Sequence, residues 1–358
     1  MASIPMLKFP YLSQEAIIMQ MELSERISLS WTSKRAEFMI RCAIGRFPAG
    51  IAVRVNEENI NLDVSMGTQK VQCQLAYRPQ LNNAQLVTIG GVRLQVEEIE
   101  TGKFVMTAPR GARNRVDYCL KSLEKLLEQF KRVLKVEKFD LVLKANPVLP
   151  KLCQHLKCVE KFDEIWIGGG NSGLKVRQRD LDIVLENLKA QKMTIEINPT
   201  REVIRYRSRQ GQALSIDQLN IREAFWVDFE NMPSVKNVSV SSRSRLGSFL
   251  ARENANEFIK AWLNGKNEVT EKITFAISFY ENYYGPVYEG VETMVTEMTL
   301  QEMMDVHSNV HEEDNRLRQS RDIIRTTDGQ RATVICTSED VSIVVWTEDN
   351  LKKMKRIP

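Results

Sequence analysis

The 358-residue sequence predicts a mixed α+β and α/β protein with three regions. Apolar residues follow a helical period in residues 1–47 and a period of two in residues 48–110, and they alternate between these two patterns in residues 111–358. Apolar residues make up 43% of the chain and charged residues 27%, which is typical of folded domains and excludes wholesale disorder. The length allows two or three domains with substantial cores.

The first region is predicted to be a small helical unit. Pro10 and Ser13 can open a helix in which Ile17, Ile18 and Met21 repeat at helical spacing. Further short helices are expected around residues 24–30 and after residue 33. Helices this short bury a small core, so we expect the unit to need a partner surface.

The second region is predicted to form β-hairpins. Ile51, Val53 and Val55 alternate along the chain, and the same period recurs in residues 60–64, 71–75 and 92–96. Turn-forming residues such as Gly90-Gly91 separate these segments. The pattern is typical of an antiparallel sheet with one buried and one solvated face.

The third region opens with an amphipathic helix over residues 116–130. Strand starts then recur at a spacing of about 25–30 residues, which indicates parallel strands backed by helices in an irregular leucine-rich-repeat-like stack. The expected strands lie at residues 139–143, 164–167, 193–197, 224–229, 235–240 and 273–279, and the expected helices at 150–156, 180–188 and 246–263.

The end of the chain is predicted to form antiparallel strands. A helix is expected near residues 300–306, followed by strands at 322–326, 332–336 and 342–346. Asp328-Gly329 between the first two strands is a strong hairpin signal. The basic residues 352–356 are expected to be frayed.

Charge and cysteine content limit the partners and the compartment. Fifty Lys and Arg against 46 Asp and Glu give a net charge of +4, which calls for neither nucleic acid nor a membrane. The arginine-rich residues 201–222 are consistent with single-stranded nucleic acid, but a solvated charged strand is the favoured interpretation. Six scattered cysteines indicate reduced thiols and a cytoplasmic or nuclear location. No apolar run approaches the roughly 18 residues of a membrane helix.

A glycine-rich segment is the strongest candidate for cofactor chemistry. Residues 168–173, from Gly168 to Gly173, match G-x-G-x-x-G after a predicted strand, and Glu196 follows near the spacing of a ribose-binding acid. The next helix is expected to begin beyond Arg177, so a pyrophosphate would miss its N-terminus. A conformationally free loop is therefore favoured, and a dinucleotide-binding enzyme remains the alternative.

Metal and catalytic sites have little support in the sequence. Cys153, His155 and Cys158 lie close together, but no second Cys/His pair follows at zinc spacing. His307 and His311 could share a helix face, yet the segment lacks the glutamate of a metalloprotease motif. No nucleophile or kinase motif is present, so no catalytic residue, cofactor or metal is predicted.

Three segments of the chain resemble a known family. Residues 9–21, Phe-Pro-Tyr-Leu-Ser-Gln-Glu-Ala-Ile-Ile-Met-Gln-Met, look like the start of an F-box, and residues 27–35, Ile-Ser-Leu-Ser-Trp-Thr-Ser-Lys-Arg, look like its close. Residues 256–265, Asn-Glu-Phe-Ile-Lys-Ala-Trp-Leu-Asn-Gly, resemble the F-box-associated region of a nematode family of F-box proteins. Residues 325–334, with Val344-Val-Trp346, resemble the closing hairpin of that region.

This resemblance implies a substrate receptor of a Skp-cullin-F-box ubiquitin ligase. Residues 1–47 would dock on a Skp-type adaptor that bridges to a cullin, and the C-terminal region would hold a target protein for ubiquitin transfer by proximity. No residue of the chain would then be catalytic. The expected adaptor-facing residues are Pro10, Leu12, Ile17, Ile18, Met21, Ile27 and Leu29.

Three residues depart from the F-box pattern. Gln14 and Arg26 stand where the family prefers apolar residues, and Leu23 replaces a common proline. Polar groups in an apolar docking face cost free energy, so these departures predict weakened adaptor binding. A stand-alone binding scaffold with a decayed F-box is the alternative from a different functional class.

Overall fold

The structure is a computed structural model that describes residues 10–78, 81–144, 149–168, 174–175, 178–198, 214–224, 227–232, 235–241, 245–277 and 284–357. It confirms the mixed α and β class. The chain divides into two compact units, Met1–Ile165 and Trp166–Pro358, which are described separately below.

The first unit begins with three helices within residues 10–44: α1 (Tyr11–Gln20), α2 (Leu23–Ser30) and α3 (Lys34–Ile44). A capping box between Glu22 and Glu25 starts α2, where the Glu25 carboxylate accepts the Glu22 N–H at 2.8 Å. The Ser33 hydroxyl accepts the Ala36 N–H at 3.1 Å and caps α3. Ile18, Ile27, Ile40 and Ile44 on these helices are at most 1% exposed.

A mixed sheet follows, and it confirms the predicted hairpins. Its strands are β1 (Pro48–Val55), β2 (Asn59–Met66), β3 (Gln69–Ala76), β4 (Gln85–Ile89), β5 (Val92–Glu100), β6 (Lys103–Thr107) and β7 (Lys135–Leu143). The pairings give the order β7-β1-β2-β3-β6-β5-β4, in which β1–β7 and β3–β6 are parallel and the other pairs are antiparallel. Gly90 and Gly91 join β4 to β5 with φ angles of 57° and 85°, the conformation that a two-residue hairpin turn requires.

Helix α4 (Arg115–Val133) packs its apolar face against this sheet. The side chains on that face are at most 1% exposed: Leu120, Leu123, Leu126, Leu127 and Phe130. Helix α5 (Leu149–His155) follows, and the boundary between the two units falls within strand β8 (Phe162–Gly168). The unit boundary differs from the predicted boundaries at residues 47/48 and 110/111, because α3 contacts α4 and β1 pairs with β7.

The second unit starts with parallel strands that follow one another in chain order. They are β9 (Leu174–Lys175), β10 (Ala190–Asn198), β11 (Ile216–Arg222), β12 (Asn237–Ser241) and β13 (Lys272–Ala276), and the helices between them are α6 (Gln178–Asn187) and α7 (Arg245–Leu263). The sequence did not indicate β11. The strand predicted at residues 224–229 is wrong, because Glu223 has a φ of 61° and Phe229 begins a 3-10 turn over Phe229–Asn231.

Antiparallel strands complete the second unit. They are β14 (Met294–Val295), β15 (Arg321–Ile324), β16 (Arg331–Cys336) and β17 (Asp340–Val345), accompanied by α8 (Leu300–Val306) and α9 (Glu348–Lys353). Strand β17 pairs with β13, so it joins the antiparallel and the parallel parts into one sheet. The predicted turn at Asp328-Gly329 connects β15 to β16.

The C-terminal residues are packed and not frayed, so that prediction is wrong. Met354 is 3% exposed. The Arg356 guanidinium donates two hydrogen bonds to the Glu302 carboxylate, one of 2.9 Å, and lies 4.4 Å from the centre of the Trp346 ring. We call Glu302, Trp346 and Arg356 the C-terminal anchor. The charge of Arg356 is thus held by a carboxylate on α8 and by the face of an aromatic ring.

Candidate protein-docking site

The helical unit exposes some of the predicted adaptor-facing residues and buries others. Leu12 is 77% exposed and Ile17 39% exposed, and Pro10 is also exposed. Met21 and Leu29 are half-buried. A docking surface needs accessible side chains, so these five remain candidates.

Ile18 and Ile27 are reassigned from the docking surface to the core. They are 1% and 0% exposed, so neither side chain is accessible to a partner. Ile17 and Ile18 are adjacent on a helix, where neighbouring side chains point about 100° apart, so only one of the two can face outward.

Two further exposed aromatic residues were not singled out by the sequence. Tyr11 is 50% exposed on α1 and Phe38 is 61% exposed on α3. The neighbouring Met39 on α3 is 5% exposed and therefore buried. Exposed aromatic side chains of this size are common anchors in protein interfaces.

The residues that depart from the F-box pattern do not lie on the exposed face. Gln14, Leu23 and Arg26 are 6%, 1% and 5% exposed. The Arg26 Nη2 donates a 2.9 Å hydrogen bond to the carbonyl of Met19 in the last turn of α1, where a cation is favourable. Burial lowers the pKa of Arg26. These three side chains are therefore buried within the unit and do not lie on an exposed docking face. Their effect on adaptor binding stays a prediction.

Contacts with the sheet and with α4 fix the orientation of the helices. The rings of Trp31 and Phe104 meet edge to face with centroids 5.3 Å apart. The Arg132 Nε lies 2.9 Å from Glu37 Oε1. The exposed face is thus presented on a preorganised support, which lowers the entropic cost of binding.

A cleft of about 1550 Å³ lies within the first unit, beside these helices. Its walls are formed by the end of α2, the start of α3, strands β4 and β5, and the second half of α4. The residues that line it are 28–34, 37, 38, 41, 83, 85–91, 96–98, 104, 129 and 132. This volume exceeds the roughly 300–1,000 Å³ of small-molecule pockets, so it suits a segment of a macromolecule better than a cofactor.

The candidate metal ligands are engaged in other contacts. The His155 Nδ1 lies 2.8 Å from Glu124 Oε2, and Cys153 is buried. Helix α8 ends at Val306, so His307 and His311 do not share a helix face. Within the described ranges, no group of three or more His, Cys, Asp and Glu side chains is arranged to hold a metal ion.

His307 instead belongs to a buried polar network in the second unit. Its Nε2 lies 2.7 Å from Asp340 Oδ1, and its Nδ1 lies 3.0 Å from the Lys272 ammonium. The ammonium can only donate, so Nδ1 is the acceptor and Nε2 carries the proton. Asn309 also donates to Asp340, at 2.7 Å. The network satisfies buried polar groups at the junction of α8, β13 and β17.

The described residues stop at Gly168 and resume at Leu174, and they also leave out residues 201–213. The glycine-rich loop after Gly168 and most of the arginine stretch therefore lie outside the described residues. Glu196, the candidate ribose-binding acid, is 8% exposed, and its Oε2 lies 3.1 Å from Arg222 Nη1 on the neighbouring strand. This carboxylate is thus engaged in a cross-strand ion pair.

The motif residues of the second unit converge on one another. Phe258 and Trp262 on α7 are fully buried, as their helical spacing predicts. The Asn256 Nδ2 donates to the carbonyls of Val287 and Glu289 at 2.9 and 3.0 Å. The Arg325 guanidinium lies 5.0 Å from the centre of the Trp262 ring. These motifs hold the unit together.

No protein-family model, no curated protein and no solved structure matches the chain. In the part of the chain that the structure describes, no helix combines the length and the apolar character needed to cross a bilayer.

Proposed function

We propose that the chain is a substrate-recognition subunit of a Skp-cullin-F-box ubiquitin ligase. Residues 10–44 dock on a Skp-type adaptor, the second unit contributes to target binding, and the chain performs no chemistry of its own. The observation that carries this proposal is the outer face of the helical unit. On α1, Tyr11, Leu12 and Ile17 are exposed, whereas Ile18, Ile27, Ile40 and Ile44 of the same unit are buried.

Exposed apolar side chains on a folded, capped unit favour a binding surface over a packing defect. The F-box resemblance covers the same residues and supplies the class of partner. A receptor of this kind acts by holding its target near a charged ubiquitin-conjugating enzyme, so it needs binding surfaces and no catalytic group. The proposed location is the cytoplasm or the nucleus.

The second unit has exposed apolar residues of its own, which support a role in target binding. Val295 and Met294 on β14 are 80% and 39% exposed, and Ile324 on β15 is 42% exposed. The short pairing of β14 with β15 brings these strands side by side.

The test of adaptor docking is a titration of the purified chain with a purified Skp-type adaptor. Replacing the 77% exposed Leu12 by Glu should leave the fold intact and weaken binding at least about tenfold, because burying a leucine contributes about 1.5–3 kcal/mol and each 1.4 kcal/mol is tenfold. Ile99→Glu, at a 47% exposed position on β5, is the matched control and should bind normally.

Absence of a complex with the folded wild-type chain, or normal binding by Leu12→Glu, would contradict adaptor docking. The second candidate, a binding scaffold that has lost its adaptor, is favoured by the cleft in the first unit. It predicts partner binding that persists when no adaptor binds.

A further inference from the structure

We propose that the cleft in the first unit binds an extended, acidic segment of a partner protein, which adds as a strand to the free edge of β4. The inference does not depend on adaptor docking. It follows from the strand order of the sheet, the backbone groups of β4, and the placement of charge around the cleft.

Strand β4 lies at the edge of its sheet. Strand β3 precedes it in the chain but pairs with β2 and β6, so within the described residues β4 pairs with β5 alone. Its other edge has no strand partner in the described residues, and residues 85–89 line the cleft together with residues of β5 and β6. An extended segment placed there would find a ready backbone template.

The hairpin turn determines which backbone groups point toward the cleft. Ile89 and Val92 flank the two-residue turn and are paired, so they form the hydrogen-bonded closing pair. Hydrogen-bonded and non-hydrogen-bonded pairs alternate along an antiparallel ladder, so Val87 and Gln85 also bond to β5. The N–H and C=O groups of Leu86 and Thr88 therefore face the free edge.

The sequence of β4 lacks the features that usually protect such an edge. Gln-Leu-Val-Thr-Ile contains no proline and no charged residue, and Leu86 is 61% exposed. Phe38 on the opposing helix α3 is also 61% exposed and lines the same cleft. Natural edges are blocked by lysine, proline or a covering element, so an unblocked apolar edge indicates a docking site.

The unpaired charged side chains around the cleft favour an acidic occupant. Of the described residues, six charged side chains line it, and their formal charges cancel: Lys34, Glu37, Arg41, Glu97, Glu98 and Arg132. Glu37 and Arg132 pair with each other, whereas Lys34 and Arg41 on α3 have no hydrogen-bond or ion-pair partner in the described part of the chain.

The two glutamates on β5 are the remaining negative groups. Glu97 accepts the N–H groups of Asn82 and Asn83, and Glu98 accepts that of Gly102. A strand added to β4 would lie about 4.8 Å from β4 and roughly twice as far from β5. Lys34 and Arg41 are the lining charges that have no partner in the described residues, so they favour an acidic occupant.

The experiment selects binders from a displayed library of random twelve-residue peptides, with the purified wild-type chain as bait. Enriched peptides should contain aspartate or glutamate beside β-branched or other apolar residues and should lack proline in the core. Thr88→Pro removes one outward N–H without removing a bond to β5, and it should weaken binding of these peptides at least tenfold. Thr88→Ala retains the N–H and should bind within twofold of wild type.

A second pair of variants keeps the test independent of any distortion by proline. Arg41→Glu should weaken binding at least tenfold, and Lys121→Glu, an exposed charge reversal on α4 outside the cleft, should leave it unchanged. Circular dichroism establishes that each variant is folded. Leu12→Glu should retain peptide binding, which separates this result from failure of adaptor docking.

Three outcomes would overturn the proposal. The first is a selection that yields no peptide, or only peptides that bind Thr88→Pro and wild type equally. The second is a wild-type dimer in sedimentation that Thr88→Pro dissociates, which would assign the edge to a second copy of the chain. The third is that a peptide of residues 1–9 fully displaces the selected peptides from the wild-type chain, which would assign the cleft to the chain's own N-terminal segment.

Discussion

The C-terminal anchor makes a measurable prediction for Glu302→Gln. Hydrogen bonds from Arg356 and from Thr299 hold the pKa of Glu302 at about 2, against an ordinary value of 4.5. A difference of roughly 2.5 units at about 1.36 kcal/mol each sets an upper limit near 3 kcal/mol on the stabilisation. The side chains of Arg356 and Glu302 are 27% and 14% exposed, so solvent screening reduces the expected loss of unfolding free energy to about 2 kcal/mol.

The stabilisation contributed by Glu302 depends on pH with a defined sign. The pKa of Glu302 is lower in the folded chain, so its stabilisation is fully present above about pH 4.5 and is lost as the pH falls toward 2. The difference between wild type and Glu302→Gln should therefore be largest at pH 7 and should shrink at pH 3.

Urea denaturation followed by circular dichroism measures the unfolding free energy of both proteins at pH 7 and at pH 3. Amide exchange in α9 shows whether the loss of stability is local to the C-terminal anchor. Glu348→Gln is the control, because Glu348 is 74% exposed and its pair with Lys352 is worth at most about 0.5 kcal/mol. A loss below 0.5 kcal/mol for Glu302→Gln at pH 7, or an equal loss at pH 3, would refute the reasoning.

Three further substitutions test the packing of each unit, with urea denaturation as the common measurement. Asn256→Ala should cost about 2–3 kcal/mol, because it leaves two carbonyls, including that of Val287, without their donor; a neutral result would contradict this role. Ile27→Ala should cost about 2–5 kcal/mol, whereas Ile17→Ala should cost under about 0.5 kcal/mol, and equal effects would contradict the assigned faces of the helices. Ser33→Ala should cost about 1 kcal/mol by removing the cap of α3, and unchanged stability would argue against that cap.

The spacing of apolar residues predicted those helices and strands whose own sequence shows a regular apolar repeat. Helix α7 was expected at residues 246–263 and spans Arg245–Leu263, because Phe258 and Trp262 repeat on one face. Strand β11 was missed, since Ile216, Leu219 and Ile221 do not alternate strictly and polar residues separate them. Its conformation depends on the parallel partners on both sides, which a local pattern does not contain.

The sequence could predict candidate site residues only where the spacing of apolar residues within one helix determines which side chains are buried. The sequence identified an apolar α1 but assigned both Ile17 and Ile18 to the docking face, because the direction of the core depends on where α2 and α3 pack. The cleft was not predicted at all. Its free edge exists because β3 pairs with β6 and leaves β4 at the border, a long-range choice with no local signal.

The pairing of β13 with β17 has a consequence for how the second unit folds. Thr274 and Ser342 face each other across this pair and are 68 positions apart in the chain. The hairpins formed by β15, β16 and β17 close over short loops and can form early, whereas joining β17 to β13 requires closure of a long loop before any contact compensates for the lost entropy. We expect this closure to limit the folding rate, so that the edge of β13 stays open to mispairing until it occurs.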